Sequence, residues 1–177
     1  MTLKRYRESF FTYIAIALLL ICFGAGSAFA GKIMIPEGKE IKVRFDPNME
    51  INSSTVSEGV PLLVNLAEPI DIGGVIVVEK GASGTATVVE VKKHGMVGKP
   101  GYIKIQFVDL ETKGEYRAPE EGGKIKLAGF AENKGKKKTI ISILLGFGLI
   151  IKGGKGQIST SDYYTATVAE SIILESE

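Results

Sequence analysis

The single histidine of the chain comes first, because any Ser-His-Asp triad or histidine-ligated metal would have to use it. His94 lies between Lys93 and Gly95 in a basic stretch. Neighbouring positive charges disfavour an imidazolium, and no adjacent carboxylate is available to orient the ring. We interpret His94 as a solvated loop residue and expect that the protein is not an enzyme.

Oxygen-bearing side chains stand at alternate positions from Asp46 to Asn52, as they do at the start of a calcium loop. The match ends there, because Ile51 stands where an EF-hand loop has glycine and Ser57 where it has a bidentate glutamate. Asp and Asn side chains also hydrogen-bond nearby backbone N–H groups in turns. The favoured interpretation is therefore a turn of this kind, without a metal.

Two other patterns could in principle bind phosphate or cleave a glycosidic bond. The G-G-K-G run at 153–156 lacks both the earlier glycine of a P-loop and the Ser or Thr that follows its lysine. Glu120 and Glu121 are neighbours on an acidic turn, where adjacent side chains diverge, so they do not form a glycosidase-like pair. The sequence predicts no cofactor.

The first thirty residues have the organisation of an export signal. A basic head at 4–7 precedes an apolar core at 10–23, and small residues at 28 and 30 form an A-x-A cleavage site. An uncleaved membrane anchor would need about twenty apolar residues. We therefore expect cleavage before Gly31 and a location in the periplasm or at the outer membrane.

The remaining 147 residues, 31–177, are enough for one domain with a hydrophobic core. The signal holds three of the 22 basic residues and one of the 20 acidic ones, which leaves 19 of each in the mature chain. Because nucleic-acid binding normally needs an excess of Lys and Arg, we expect no nucleic-acid partner. The only cysteine, Cys22, lies in the signal, so disulfides do not stabilise the mature domain.

One unit dominates the pattern of the mature chain. Two β-rich runs, Val75 to Val78 and Thr85 to Val91, are joined by a corner at Gly81 to Gly84 that suits a tight or crowded backbone. The same order of residues, an apolar residue, an acidic or polar residue, a glycine and then a strand, begins the mature chain at 35–38, before an alternating strand at 40–45. Repetition of this unit favours a small closed or sandwiched β structure.

Alternation of polar and apolar residues predicts further strands, and Pro61 places an edge or bulge at the start of one of them. We expect an all-β domain over 31–177, a small barrel or sandwich of about seven to nine short strands with one helix. The further predicted strands are Val60 to Leu66, Tyr102 to Leu110, Lys124 to Phe130 and one long strand from Tyr163 to Leu174.

The predicted helix is Thr139 to Ile151, thirteen residues without a charge. Such a helix reaches about 20 Å and cannot cross a hydrocarbon core of roughly 30 Å. It is either a lid over one barrel end or a contact with lipid or neighbouring copies, and we favour the lid because an exposed apolar patch promotes aggregation. The candidate contact residues are Lys137, Lys138, Ser142, Ile143, Leu144, Gly146, Phe147 and Lys152.

These motifs together carry a resemblance to known proteins. I-P-E-G at 35–38, V-V-E-K-G at 77–81 followed by G-T-A-T-V, the alternating run at 99–107 and the lysine-flanked apolar stretch resemble a family of small exported bacterial proteins of unknown function. More distantly, the strand corners are similar to the C-terminal β-barrel domain of TrbI-like conjugal transfer and type IV secretion proteins. That likeness implies a barrel with a hydrophobic helical excursion that enters the outer membrane.

The sequence therefore favours a non-enzymatic structural or assembly role in the cell envelope. The expected partner is an envelope protein or further copies of the chain, with membrane contact through 139–151. One alternative is a membrane-associated oligomeric subunit that resembles the type IV secretion barrels. Another is a small-ligand or polysaccharide-binding module that uses the mouth of the barrel.

Overall fold

The computed structural model describes residues 31–95, 98–119, 123–136 and 153–176, which contain strands and no helix. Gly31 to Glu177 form one compact unit. Fourteen strands are present among the described residues: β1 (Lys32–Ile35), β2 (Glu40–Phe45), β3 (Ile51–Asn52), β4 (Pro61–Leu66), β5 (Ile70–Ile72), β6 (Val75–Val78), β7 (Ser83–Lys92), β8 (Tyr102–Glu111), β9 (Tyr116–Arg117), β10 (Lys124–Ala128), β11 (Phe130–Lys134), β12 (Gln157–Ile158), β13 (Tyr164–Val168) and β14 (Ile172–Ser176).

Six of these strands close into a barrel. They follow the order β10-β13-β2-β4-β7-β8, and β8 pairs back onto β10. Closure occurs where Lys124 lies opposite Glu111 and Lys126 opposite Asp109. A closed barrel has no free edge strands, which removes a template for aggregation. The prediction of an all-β domain is confirmed, and of the two expected architectures, barrel or sandwich, the structure is a barrel.

Because neighbouring strands of the barrel are antiparallel, the connections between them lie at two opposite ends, which are called the upper end and the lower end. At the upper end lie the connection 46–60 and the described parts of the connections 93–101 and 135–163. At the lower end lie the three-stranded sheet β1-β14-β9 and the hairpin β5-β6. Gly31 is at the lower end, where its N–H donates to Ser176 Oγ at 2.8 Å.

The interior of the barrel is filled with side chains, as alternation in each strand requires. Phe45 and Phe107 are both fully buried, and their ring centroids are 6.1 Å apart. Tyr164 packs edge-on against Phe45 at 5.3 Å. Ile103 and Ile105 point inward beside Phe107, so the face predicted from the alternation of β8 is the buried one.

The predicted corner between β6 and β7 is present, and its glycines serve two different purposes. Gly81 has φ of +80°, a conformation that side chains with a Cβ rarely adopt. Gly84 lies within β7, where a Cβ would come 2.5 Å from the carbonyl oxygen of Asp109. The corner moves the chain from the lower hairpin into the barrel, since β6 pairs with β5 and β7 with β4.

One predicted strand is bent in the structure. The run predicted at 124–130 is β10 and β11, separated by Gly129 with φ of +114°. Both segments pair with β8, so β8 continues past the bend toward the upper end. Lys124 and Lys126 face outward and Ile125 inward, in keeping with the alternation of polar and apolar residues in this run.

The prediction of one final strand from Tyr163 to Leu174 is wrong. The chain forms β13, breaks at 169–171 and continues as β14 in the lower sheet. The break is held by hydrogen bonds from Ala169 N to Lys126 O at 2.9 Å and from Glu37 N to Ser171 Oγ at 3.0 Å. The expected number of strands was too low, because segments of two to four residues are too short to show a period. The segments that were not predicted are β1, β3, β5 and β12, whereas β9 matches the short strand predicted near Tyr116.

Several sequence-based predictions concern residues outside the described ranges. They are the helix at 139–151, the acidic pair at 120–121 and the proposed contact residues Lys137, Lys138, Ser142, Ile143, Leu144, Gly146, Phe147 and Lys152. Within the described part of the chain, no helix has the length and apolar character needed to cross a membrane.

Candidate functional site: a glycine cluster and a basic rim at the upper end

Five glycines pack backbone against backbone at the upper end and are called the glycine cluster: Gly101, Gly135, Gly153, Gly154 and Gly156. Gly135 N donates to Gly101 O at 2.9 Å, and Gly101 N donates to Gly154 O at 2.9 Å. Gly154 N also donates to Lys136 O at 3.0 Å. Lys136 and Gly154 are therefore neighbours in space, and the chain leaves and re-enters the described structure at one place.

Close approach, rather than an unusual φ, explains why these positions are glycines. None of the five has a positive φ. A Cβ on Gly135 would overlap the carbonyl of Gly154, and a Cβ on Gly153 would overlap the carbonyl of Lys99. Both obstructions are backbone atoms, which cannot rotate away as a side chain can. The cluster thus fixes where the residues on either side of 137–152 lie.

Ser53 fastens the 46–60 connection to the glycine cluster. Its side chain is fully buried, and its backbone N–H donates to Gly156 O at 2.8 Å. Ser53 Oγ accepts a hydrogen bond from Gly156 N at 3.2 Å and lies against Gly101. Ser53 was not singled out from the sequence, because Asn-Ser-Ser-Thr resembles an ordinary polar connector.

Replacing Ser53 with alanine is expected to lower the free energy of unfolding by about 1–3 kcal/mol. The buried N–H of Gly156 would lose its side-chain acceptor, and an unsatisfied buried donor retains its full desolvation cost. Ser57→Ala, which alters an exposed hydroxyl in the same connection, is the matched control and should change stability by less than about 0.5 kcal/mol. Urea unfolding of both variants measures the difference. Equal stability of the two would contradict the role of Ser53.

The residues that resembled a calcium loop form turns instead. Asp46 Oδ1 accepts a hydrogen bond from Asn48 N at 2.8 Å. Asn52 Oδ1 accepts from the backbone N–H groups of Ser54 at 2.9 Å and Thr55 at 3.2 Å. These are the Asx hydrogen bonds that the sequence predicted. Among the described residues, no three His, Cys, Asp or Glu side chains are grouped closely enough to hold a metal ion.

His94 lies at the upper end and is partly buried. Its Nδ1 is 3.2 Å from Ser54 Oγ, so the imidazole joins the 93–101 and 46–60 connections. The prediction of a loop residue is correct, but the contact with Ser54 was not visible in the sequence. Among the described residues, no carboxylate hydrogen-bonds the imidazole to complete a triad.

Lysines surround the glycine cluster and are called the basic rim: Lys92, Lys93, Lys99, Lys134, Lys136 and Lys155. All six are exposed, and the segments that carry them, 91–101, 134–136 and 153–156, contain no acidic residue. Lys92 alone among the six forms an ion pair with another described residue, with Glu90 Oε1 at 2.5 Å. The rim therefore concentrates positive charge at one end of residues 31–177, which together carry equal numbers of basic and acidic residues.

A surface cavity of about 490 Å³ opens at the rim, lined by Glu90, Lys92, Lys99, Pro100, Tyr102 and Lys134. The hydrogen bond to Glu90 raises the pKa of Lys92. Tyr102 donates its hydroxyl to Glu132 Oε2 at 2.8 Å, and this bond raises the pKa of the phenol. The cavity thus presents ammonium groups around an uncharged aromatic ring.

Comparison with protein-family models, curated proteins and solved structures finds no match to the chain. The functional interpretation therefore depends on the glycine cluster, the basic rim and the sequence that they flank.

Proposed function

We propose that this chain is an exported cell-envelope protein with a non-enzymatic structural or assembly role, and that its upper end contacts a membrane surface. The observation that carries the proposal is the hydrogen bond between Lys136 and Gly154. It brings together residues 136 and 154, and the uncharged stretch 139–151 lies between these two residues in the sequence. An apolar segment displayed from a ring of lysines has the composition of an interfacial anchor.

Electrostatic attraction supports a contact between the upper end of the barrel and the membrane surface. Each lysine near an anionic membrane surface contributes roughly 1 kcal/mol of attraction, and the effect fades within a Debye length. The six rim lysines are continued in sequence by Lys137, Lys138 and Lys152. Lysines hold a protein at the headgroups, while an adjacent apolar segment of thirteen residues supplies the hydrophobic contribution.

Assembly is the second part of the proposal. Ser142 and Gly146 are four residues apart, the small-xxx-small spacing that lets helices approach closely in lipid. Further copies of the chain, or another envelope protein, would then pack on this pair while Ile143 and Leu144 face lipid. The proposal includes the membrane-associated oligomeric subunit that the sequence suggested.

The test is the double variant Ile143→Asp/Leu144→Asp in the full chain. We expect the wild-type protein in the membrane fraction and the variant in the soluble fraction at unchanged thermal stability, because carboxylates are unfavourable in hydrocarbon and are repelled by acidic lipid. The matched control is Leu63→Asp/Ile76→Asp, which changes two exposed apolar residues outside the upper end, 58% and 52% exposed. The control variant should stay with the membrane.

Two outcomes would contradict the proposal. A wild-type protein found only in the soluble fraction would remove the membrane contact. A variant that loses several kcal/mol of stability would mean that 143 and 144 are buried in the protein's own core, since a buried unpaired charge has that effect. The stretch would then be the lid that the sequence analysis favoured.

A further inference from the structure

We infer that the cavity at the basic rim is a binding site for the phosphate group of an acidic phospholipid. The inference rests on the proposed membrane contact and names the chemical group that the upper end recognises. It is carried by the arrangement of Lys92, Lys99 and Lys134 around Tyr102.

Strand register places three of the lining residues in one row. Tyr102 is the partner of Lys92 on β7 and of Lys134 on β11. Partners across antiparallel strands project from the same face, and neighbouring strands are about 4.8 Å apart. Lys92 and Lys134 therefore flank Tyr102 with Cα atoms roughly 10 Å apart. Lys92 Nζ lies over the ring, 5.8 Å from its centroid, so a phosphate in the cavity would meet this ammonium group beside the ring.

The charges that face the cavity leave a net positive site. Glu90 is the one acidic residue of the lining, and it is paired with Lys92. Glu132 lies next to the cavity, where it accepts from Tyr102 and is 3.9 Å from Lys104 Nζ. Lys99 and Lys134 form no ion pair with another described residue. Two ammonium groups thus remain to meet an anion, and lysines bind phosphate as point charges.

The position of the cavity favours a lipid over a free anion. Lys134 is the last residue of β11 and lies two residues before Lys136, which the glycine cluster holds beside Gly154. A phosphate bound at Lys134 would belong to a headgroup next to the place where the apolar stretch leaves the described structure. Free phosphate offers the same chemistry without the acyl chains, so the experiment has to separate the two sources.

The experiment compares binding of the full chain to vesicles of phosphatidylglycerol and phosphatidylcholine (1:3) and of phosphatidylcholine alone. Lys99→Gln/Lys134→Gln is expected to weaken binding to the acidic vesicles by about 25-fold, because each lysine near such a surface contributes roughly fivefold. The matched control, Lys80→Gln/Lys113→Gln, removes the same charge from exposed positions at the lower end. It should weaken binding by less than about threefold.

An equal loss in both double variants would overturn the inference, since it would mean that only total charge matters. Equal binding of wild type to both kinds of vesicle would also overturn it. Inorganic phosphate is the third arm: displacement of the protein from acidic vesicles by millimolar phosphate, at constant ionic strength, would assign the cavity to a free anion. If wild type and both variants stay membrane-bound alike, the cavity proposal fails while the proposed envelope contact stands.

Discussion

Replacing Gly135 with alanine is expected to lower the free energy of unfolding by about 3 kcal/mol, which corresponds to roughly 10 °C in Tm. The added Cβ would overlap the carbonyl of Gly154, so the backbone around the glycine cluster would have to move. That movement would separate Lys136 from Gly154 and break the hydrogen bond of 3.0 Å between them. Urea and thermal unfolding of the purified chain measure the effect.

Gly95→Ala is the control for this variant. Gly95 is also at the upper end, but its φ is not positive and a Cβ there would be 3.4 Å from the Lys99 side chain, close to ordinary contact. Stability should change by less than about 1 kcal/mol, and the alanine could even stabilise by restricting the unfolded chain. If Gly135→Ala unfolded at the same urea concentration as Gly95→Ala, the close backbone packing at Gly135 would be wrong.

Truncating Phe107 to alanine is expected to destabilise the domain by about 3–5 kcal/mol. The ring is fully buried inside the barrel and stacks on Phe45 at 6.1 Å, so its removal would lose apolar burial and leave a cavity. A closed barrel has few ways to collapse around such a cavity, because its strands are paired on both sides. Phe107→Leu, which leaves a smaller cavity, should lose only about 1.5 kcal/mol.

Phe130 is the control for Phe107, because it is the same residue type at an exposed position. Its ring is 52% exposed and lies under Lys104 Nζ, 4.2 Å from the ring centroid. Phe130→Ala should therefore reduce the free energy of unfolding by no more than about 1 kcal/mol, the size of an exposed cation–π contact. Chemical denaturation of the two alanine variants decides the matter. Similar losses at Phe107 and Phe130 would show that the barrel interior is not the main source of stability.

The fold was predictable wherever one segment carried enough alternation by itself. In β2 and β8 the alternation of polar and apolar residues repeats several times, and the apolar residues of this alternation are the buried ones. Barrel closure was not predictable in the same way. It depends on β8 pairing with β10 in one particular register, and the sequence is compatible with many other registers. The alternation of either strand is equally compatible with a sandwich.

The candidate site was less predictable than the fold. Lys92, Tyr102 and Lys134 come from three separate segments and form a row only through the pairing of β7, β8 and β11. Glycines such as Gly135 and Gly153 look like loop residues, since a sequence does not reveal which distant backbone approaches them. Their position on both sides of an uncharged stretch was the one available signal, and it became informative only with the contacts in hand.

Gly31 and the basic rim lie at opposite ends of the barrel. Its backbone is hydrogen-bonded at the lower end, whereas the basic rim surrounds the upper end. A strand as long as β8, ten residues, spans roughly 34 Å, and with the tilt of about 40° usual in small barrels it separates the two ends by roughly 25 Å. An affinity tag or surface attachment joined before Gly31 would therefore leave the lysines facing outward. One attached within 137–152 would turn the same barrel the other way.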